Sequence, residues 1–244
     1  MAIGIMGAMQ EEVGGLIAAM EQPRASEHGG RTYWRGTLFG HEAVVVFSRW
    51  GKVAAATTAT HLVVAEGVDE LIFTGVAGAA DPALPVGDVV IASSLVQHDM
   101  NAEPLFPRHE IPLLGISEFP GDPDRTRRAL EAANRFLAHP PPAAARFGIE
   151  APVAIAGPVA SGDRFIAGKA ELAEICARLR GLACVEMEGA AVAQVCHEYG
   201  VPLTVIRTIS DAADEGAPLD FARFVREVAE PWSVGIVREF LTHR

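Results

Sequence analysis

The chain is poor in cysteine, in aromatic side chains and in positive charge. Its 244 residues include three cysteines, Cys176, Cys184 and Cys196. The number is odd and no two share a CxxC spacing, so neither a disulfide framework nor a zinc knuckle is expected. Each is read as a small apolar side chain in a core, in a reducing compartment. Aromatic residues amount to 7%. Alanine is plentiful instead, which predicts close packing of helices on a sheet. Lys and Arg total 20 against 31 Asp and Glu, a formal net charge of −11. A phosphate backbone is repelled by that balance, so nucleic acid is not an expected partner. The densest basic run, 125–128, is interleaved with Asp122, Asp124 and Glu131 and reads as one solvated helix face. No apolar run is long enough to span a bilayer. The stretch MAIGIMGAMQEEV at 1–13 has no basic start and contains two glutamates, unlike a secretory leader. The expectation is a cytoplasmic protein with no membrane partner.

What is present is a large core. Half of the residues are hydrophobic, the profile of a globular α/β protein. Short apolar runs at 2–6, 70–74, 88–92, 153–156, 183–185 and 203–208 read as strands. Strands 31–38 and 42–48 flank the Phe39-Gly40 turn as a hairpin. Helical spacing marks 11–20, 52–66, 124–137, 167–179 and 189–199, the last ended by Gly200 and Pro202. A long helical tail covers 217–241 with an interruption near Pro231. Residues 104–120 read as a long loop, and 139–145 as an exposed connection. Strands alternating with helices predict a single-domain, three-layer α/β/α sandwich with a mixed, largely parallel central sheet over 1–244.

Ligands of open α/β sheets bind beyond the carboxyl ends of strands. Four strand ends here carry unusual residues. Glu11 and Glu12 follow the first strand at a helix N-terminus, where the helix dipole also favours acids. Adjacent helical residues diverge, so only one of them is expected to face a site. Thr74-Gly75-Val76-Ala77-Gly78 reads as a glycine turn that lets a ligand approach the backbone, or as a plain tight turn. Glu186-Met187-Glu188 joins an apolar strand to a helix, as a sugar cradle or in part as a cap. Asp211, after Arg207 and Ser210, is either an N-cap or a site acid. No phosphate-binding lysine loop and no dinucleotide fingerprint is present. The pairs His98-Asp99 and His109-Glu110 lack the HxxxH or HExxH spacing that gathers ligands on one helix face. All eight histidines therefore read as surface or hydrogen-bonded, and neither metal nor organic cofactor is expected.

Seven ordered blocks carry a resemblance: IGIMGAMQEEV at 3–13, GKVAAA at 51–56, TGVAG at 74–78, VGDVV at 86–90, SGDRFI at 161–166, VEMEGAAVAQVC at 185–196 and RTISDAAD at 207–214. The chain resembles the bacterial 5′-methylthioadenosine/S-adenosylhomocysteine nucleosidases of the nucleoside phosphorylase superfamily. That resemblance implies a nucleoside phosphorylase-like fold, a role in methionine salvage and a homodimer whose partner closes each site. It puts water activation on Glu12, ribose binding on Met187 and Glu188 with Glu186 beside them, and purine protonation on Asp211 next to Ser210. It puts adenine stacking on Phe165, adenine-edge recognition on the main chain of Ile166, and Arg207 near the water. Met9 and Phe221 would line the 5′ pocket, with Val76 and Trp50 also at the site. Leu105 and Phe106, in the 98–115 stretch, would reach the neighbouring subunit's site.

The chemistry agrees with these roles. Breaking an N-glycosidic bond builds positive charge on the ribose and negative charge on the base. A carboxylate by the sugar stabilises the first, and a protonated acid by the purine neutralises the second. Glu12 needs the ionised state, which Arg207 nearby would favour. Two positions depart from the family: Val76 stands where many relatives have serine, and Trp50 where smaller apolar residues are usual. A phosphorylase would need cationic and hydroxyl groups for phosphate, and Phe73 and Val76 occupy those places here. A futalosine-type hydrolase and a non-catalytic nucleoside-binding protein are the remaining alternatives.

Overall fold

A computed structural model describes residues 1–211 and 221–243. In chain order the elements are β1 (Ala2–Gly7), α1 (Gln10–Ala18), β2 (Glu21–His28), β3 (Arg31–Leu38), β4 (His41–Phe47), α2 (Lys52–Val64), β5 (Val68–Ala79) and β6 (Val89–Gln97). Then come β7 (Glu118–Pro120), α3 (Pro123–Leu137), a 3-10 turn (Pro142–Phe147), β8 (Ala154–Ser161), α4 (Lys169–Arg178), β9 (Cys184–Glu186), α5 (Gly189–Tyr199) and β10 (Leu203–Asp211). A continuous helical tail closes the chain: α6 (Phe221–Phe224), a π-helical turn (Val225–Ala229) and α7 (Glu230–Thr242).

The strands form one mixed sheet, with helices on both faces. Parallel ladders run through its middle, β4–β1–β5–β10 and β6–β8–β9. Antiparallel pairs join β10 to β6 and β5 to β9, so part of the sheet curls back on itself. The alternation of a strand explains the layers. In β1, Ala2 and Met6 face the core under α2 and α5, while Ile3 and Ile5 face the one under α1, α3 and α7. Strands β4, β5 and β6 divide their residues in the same way. Alanines 55, 59, 190 and 193 on one face and 129, 132 and 133 on the other are buried, as their abundance predicts.

Several sequence expectations need correction. Gly75 and Gly78 are not in a turn: β5 runs on through them to Ala79, held by parallel pairing to β10. Likewise β10 extends to Asp211, three residues past its expected end. Hydrophilic β2 gave no apolar signal because it is the exposed edge of the sheet. The 104–120 loop contains a bridge between Ile111 and Ile116 and ends in β7. The 139–145 connection forms part of the 3-10 turn and buries Ala144. The interruption expected near Pro231 takes the form of the π-helical turn Val225–Ala229 just before α7, with Pro231 in the first turn of that helix. Residues 217–220 of that expected helix lie outside the described residues. The basic run is only partly solvated. Arg127 faces water, but Arg125 bonds Glu70 and Thr204, and Arg128 lies 5.1 Å from the Phe240 ring centre. Cys184 and Cys196 are buried and Cys176 half-buried, all with free thiols. No helix among the described residues is long and apolar enough to cross a membrane.

Candidate active site

The carboxyl ends of β1, β5 and β10 and the β9–α5 junction meet around a cleft of about 330 Å³. Twelve of the residues singled out in the sequence line it: Met9, Glu12, Trp50, Val76, Phe165, Ile166, Glu186, Met187, Glu188, Ser210, Asp211 and Phe221. Ala77 and Gly78 of the 74–78 stretch also line it, and so do Ala8, Arg164 and Val185, which were not named as site residues. Ile166 is buried, whereas Trp50 and Phe165 are 61% and 57% exposed. Leu105 is exposed and Phe106 half-buried, and neither reaches this cleft within the same chain.

Each acid is held by backbone donors that the local fold supplies. Glu12 is the third residue of α1, and its Oε2 turns back to accept from the N–H groups of Ala8 at 2.7 Å and Met9 at 3.0 Å. This is half of a capping box, a structural role in its own right. Its Oε1 accepts from Val76 N–H at 3.0 Å, across from β5. Glu11 next to it is exposed, as divergence on a helix requires. A Cβ on Gly75 would lie 2.6 Å from Glu12 Oε1 and 3.0 Å from Arg207 Nη1, so the glycine is there for space.

Below the cleft lies a buried ion pair. Arg207 Nη2 donates to Glu186 Oε2 at 2.6 Å, and its guanidinium stands 4.1 Å from the Phe73 ring centre. Glu186 also accepts from Ser161 Oγ and from the N–H groups of Glu188 and Gly189. Ser161 Oγ in turn accepts from Ala190 N–H at 2.7 Å. Glu186 and Ser161 therefore cap α5, and Glu186 has its oxygens committed to the protein. Glu188 is left facing the cleft, with Oε1 accepting from Gly51 N–H at 2.8 Å. Gly51 has φ +91°, a conformation that favours glycine. At the end of β10 Ser210 Oγ donates to Asp211 Oδ2 at 2.7 Å. Ser161 and Gly51 were missed as site residues although both stand in the SGDRFI and GKVAAA blocks. Only the fold shows what they touch.

The model of the phosphorylase superfamily matches residues 2–242. A 5′-methylthioadenosine/S-adenosylhomocysteine nucleosidase of Shewanella baltica (strain OS155 / ATCC BAA-1091) is 36% identical over 92% of this chain and 90% of its own. The chain belongs to this nucleosidase family of the phosphorylase superfamily. Solved structures agree. The Colwellia psychrerythraea nucleosidase in complex with adenine has a TM-score of 0.89 and 31% identity, covering 99% of this chain and 95% of its own. A futalosine hydrolase of Helicobacter pylori superposes with a TM-score of 0.85 and 31% identity, covering 100% and 98%.

In this nucleosidase fold the buried acids are tuned by their surroundings. Burial pushes the Glu12 carboxyl above its ordinary range, and outweighs the attraction of Arg207 and the three N–H donors that pull it down. Arg207 thus acts on Glu12 in the expected direction but does not win. Glu188 is pushed up to about 8, first by burial and then by the Glu186 carboxylate, against Gly51 N–H and Arg207. For Arg207, burial opposes the charge, and Glu186, Glu12 and Glu188 outweigh it and raise its pKa. The reading of all eight histidines as surface or hydrogen-bonded fails at His98, which is buried with an Nε2 that has no hydrogen-bond partner among the described residues; His109 is hydrogen-bonded, through Nδ1 to Gln97 O.

Proposed function

We propose that this chain, working as a single domain, hydrolyses the N-glycosidic bond of 5′-methylthioadenosine and S-adenosylhomocysteine, releasing adenine and the 5′-thio-ribose. The observation that carries the proposal is the placing of three acids around one cleft. Glu12, in the first turn of α1, and Glu188, just before α5, line it together with the Ser210–Asp211 pair at the end of β10.

Glu12 is the base that takes a proton from water. A carboxyl whose pKa lies above the ordinary range is better matched to that task near neutral pH. Glu188 accepts from the ribose hydroxyls and offsets the positive charge that grows on the sugar. Asp211, oriented by Ser210, gives a proton to the departing purine. Phe165 stacks on the adenine and the Ile166 main chain reads its edge. Met187 supports the ribose, while Met9, Trp50 and Phe221 surround the 5′ group. Arg207 and Glu186 position the acids from beneath.

Among the described residues, neither of the two positions that a phosphorylase would use for phosphate offers it a seat. Phe73 lies buried under Arg207, and Val76 offers only a backbone N–H that Glu12 already uses. Hydrolysis independent of phosphate follows, which separates this chain from a phosphorylase. The exposed apolar side chains of Trp50, Phe165 and Leu105 fit a homodimer in which Leu105 and Phe106 close the partner's 5′ pocket. That activity would serve methionine salvage. The test is adenine release from both thio-nucleosides with and without phosphate. Equal rates and a free sugar are expected. A sugar 1-phosphate product, or turnover of a futalosine-type nucleoside in preference to both, would overturn the assignment.

A further inference from the structure

Away from the cleft, the β2–β3 hairpin and the end of α2 bring two imidazoles and a carboxylate together. His28 is the last residue of β2, His61 is in the last turn of α2, and Glu66 follows that helix. Their ligand atoms all lie within 4.8 Å of one another, and none of the three lines the cleft. We propose that they form a binding site for one divalent transition-metal ion of the zinc type.

The donor set is the first argument. Two imidazole nitrogens and one carboxylate oxygen suit zinc, and leave a fourth position for water. The second is an orphaned atom. His61 Nε2 is buried and has no hydrogen-bond partner among the described residues. Glu66 Oε1 is its near neighbour at 3.7 Å, too far for a hydrogen bond. A buried polar atom left in that state is costly, and a bound ion would satisfy it.

The third argument is that the surroundings hold the group in place. Arg31 is buried and donates to Ser48 O, Gly29 O and Ala54 O, which ties the hairpin turn beside His28 to α2. The His61 ring packs against both Tyr33 and His28, with ring centres 4.5 Å and 4.8 Å away, and those two rings also meet each other at 6.2 Å. Arg35 takes Glu66 Oε2 at 3.2 Å and leaves Oε1 toward His61, the kind of outer partner that orients a ligand carboxylate. Tetrahedral zinc puts its ligand atoms about 3.4 Å apart, so the widest separation in the group must close by up to about 1.4 Å. His28 is exposed and can supply that movement by side-chain rotation. The ion would fasten the edge hairpin to α2.

The test uses the tag-free chain, stripped with a chelator and titrated with zinc by calorimetry. One ion per chain and a melting temperature that rises with zinc are expected. His28→Ala alters an exposed side chain, and circular dichroism without metal checks that its fold is unchanged. That variant and Glu66→Gln should each weaken zinc binding by at least about tenfold. Cobalt in place of zinc should give tetrahedral visible absorption bands that His28→Ala removes. Absence of saturable binding, or equal affinity in the parent and His28→Ala, overturns the proposal.

Discussion

Asp211 and Glu12 divide the proposed chemistry between a proton donor and a proton acceptor. Asp211→Asn keeps the shape and a partner for Ser210 but cannot give up a proton to the purine. Adenine release should fall by about 10²- to 10⁴-fold, the usual worth of a positioned acid or base. Circular dichroism should stay unchanged, and a variant that turned over at the parent rate would remove Asp211 from the mechanism. Glu12→Gln is expected to lose activity over the same range. Its amide oxygen can still accept from backbone N–H groups, so the cap on α1 is largely kept. A loss of folding in place of a loss of turnover would show that Glu12 is chiefly a cap.

At the scale of elements, the site depends on how closely β5 and β10 approach α1. Gly75 pairs with Arg207 in the β5–β10 ladder, and the space above it holds the Glu12 carboxylate. Gly75→Ala puts a methyl group 2.6 Å from Glu12 Oε1, so the carboxylate must move. A displacement near 1 Å at a reacting group costs roughly 10²-fold in rate. The expected result is a folded protein with kcat reduced by about that factor, read from steady-state adenine release. The strand conformation at Gly75 suits alanine, so backbone strain does not enter. An unaffected kcat would mean that the Glu12 position seen here is not the working one.

For the molecule as a whole, the buried acids link stability to pH. A glutamate in the unfolded chain loses its proton near 4.5, whereas Glu188 in the folded chain keeps it to about 8. Between these values the folded state binds more protons, so stability falls as pH rises. The contribution is fully present below the unfolded value and is lost through the folded one. Glu12 is shifted in the same direction and adds to the trend. The melting temperature of the ligand-free protein should therefore drop from about pH 5 to about pH 8, and Glu188→Gln should flatten that drop. Parallel curves for the parent and the variant would show that Glu188 is not the group responsible.

The sequence by itself determined the layered α/β architecture and the family. Apolar runs of strand length alternating with helical periods leave few other arrangements. Seven ordered blocks name the residues of the cleft more firmly than any one strand end does. The resemblance also chose Glu12 over Glu11, whereas helix geometry said only that the two face apart. The tertiary structure alone decided what the acids are bonded to. Glu186 looked like part of a sugar cradle, yet it is spent on Arg207, Ser161 and the first N–H groups of α5. Gly75 looked like a turn and proved to be a strand residue that makes room for a carboxylate. The balance on Glu12 was also hidden, because the resemblance implies a nearby arginine but says nothing of the depth of burial. Edge strand β2 and the His28, His61 and Glu66 group escaped for a related reason. Neither shows periodicity, and the metal-ligand spacing is created by a hairpin folding onto a helix more than thirty residues away in sequence.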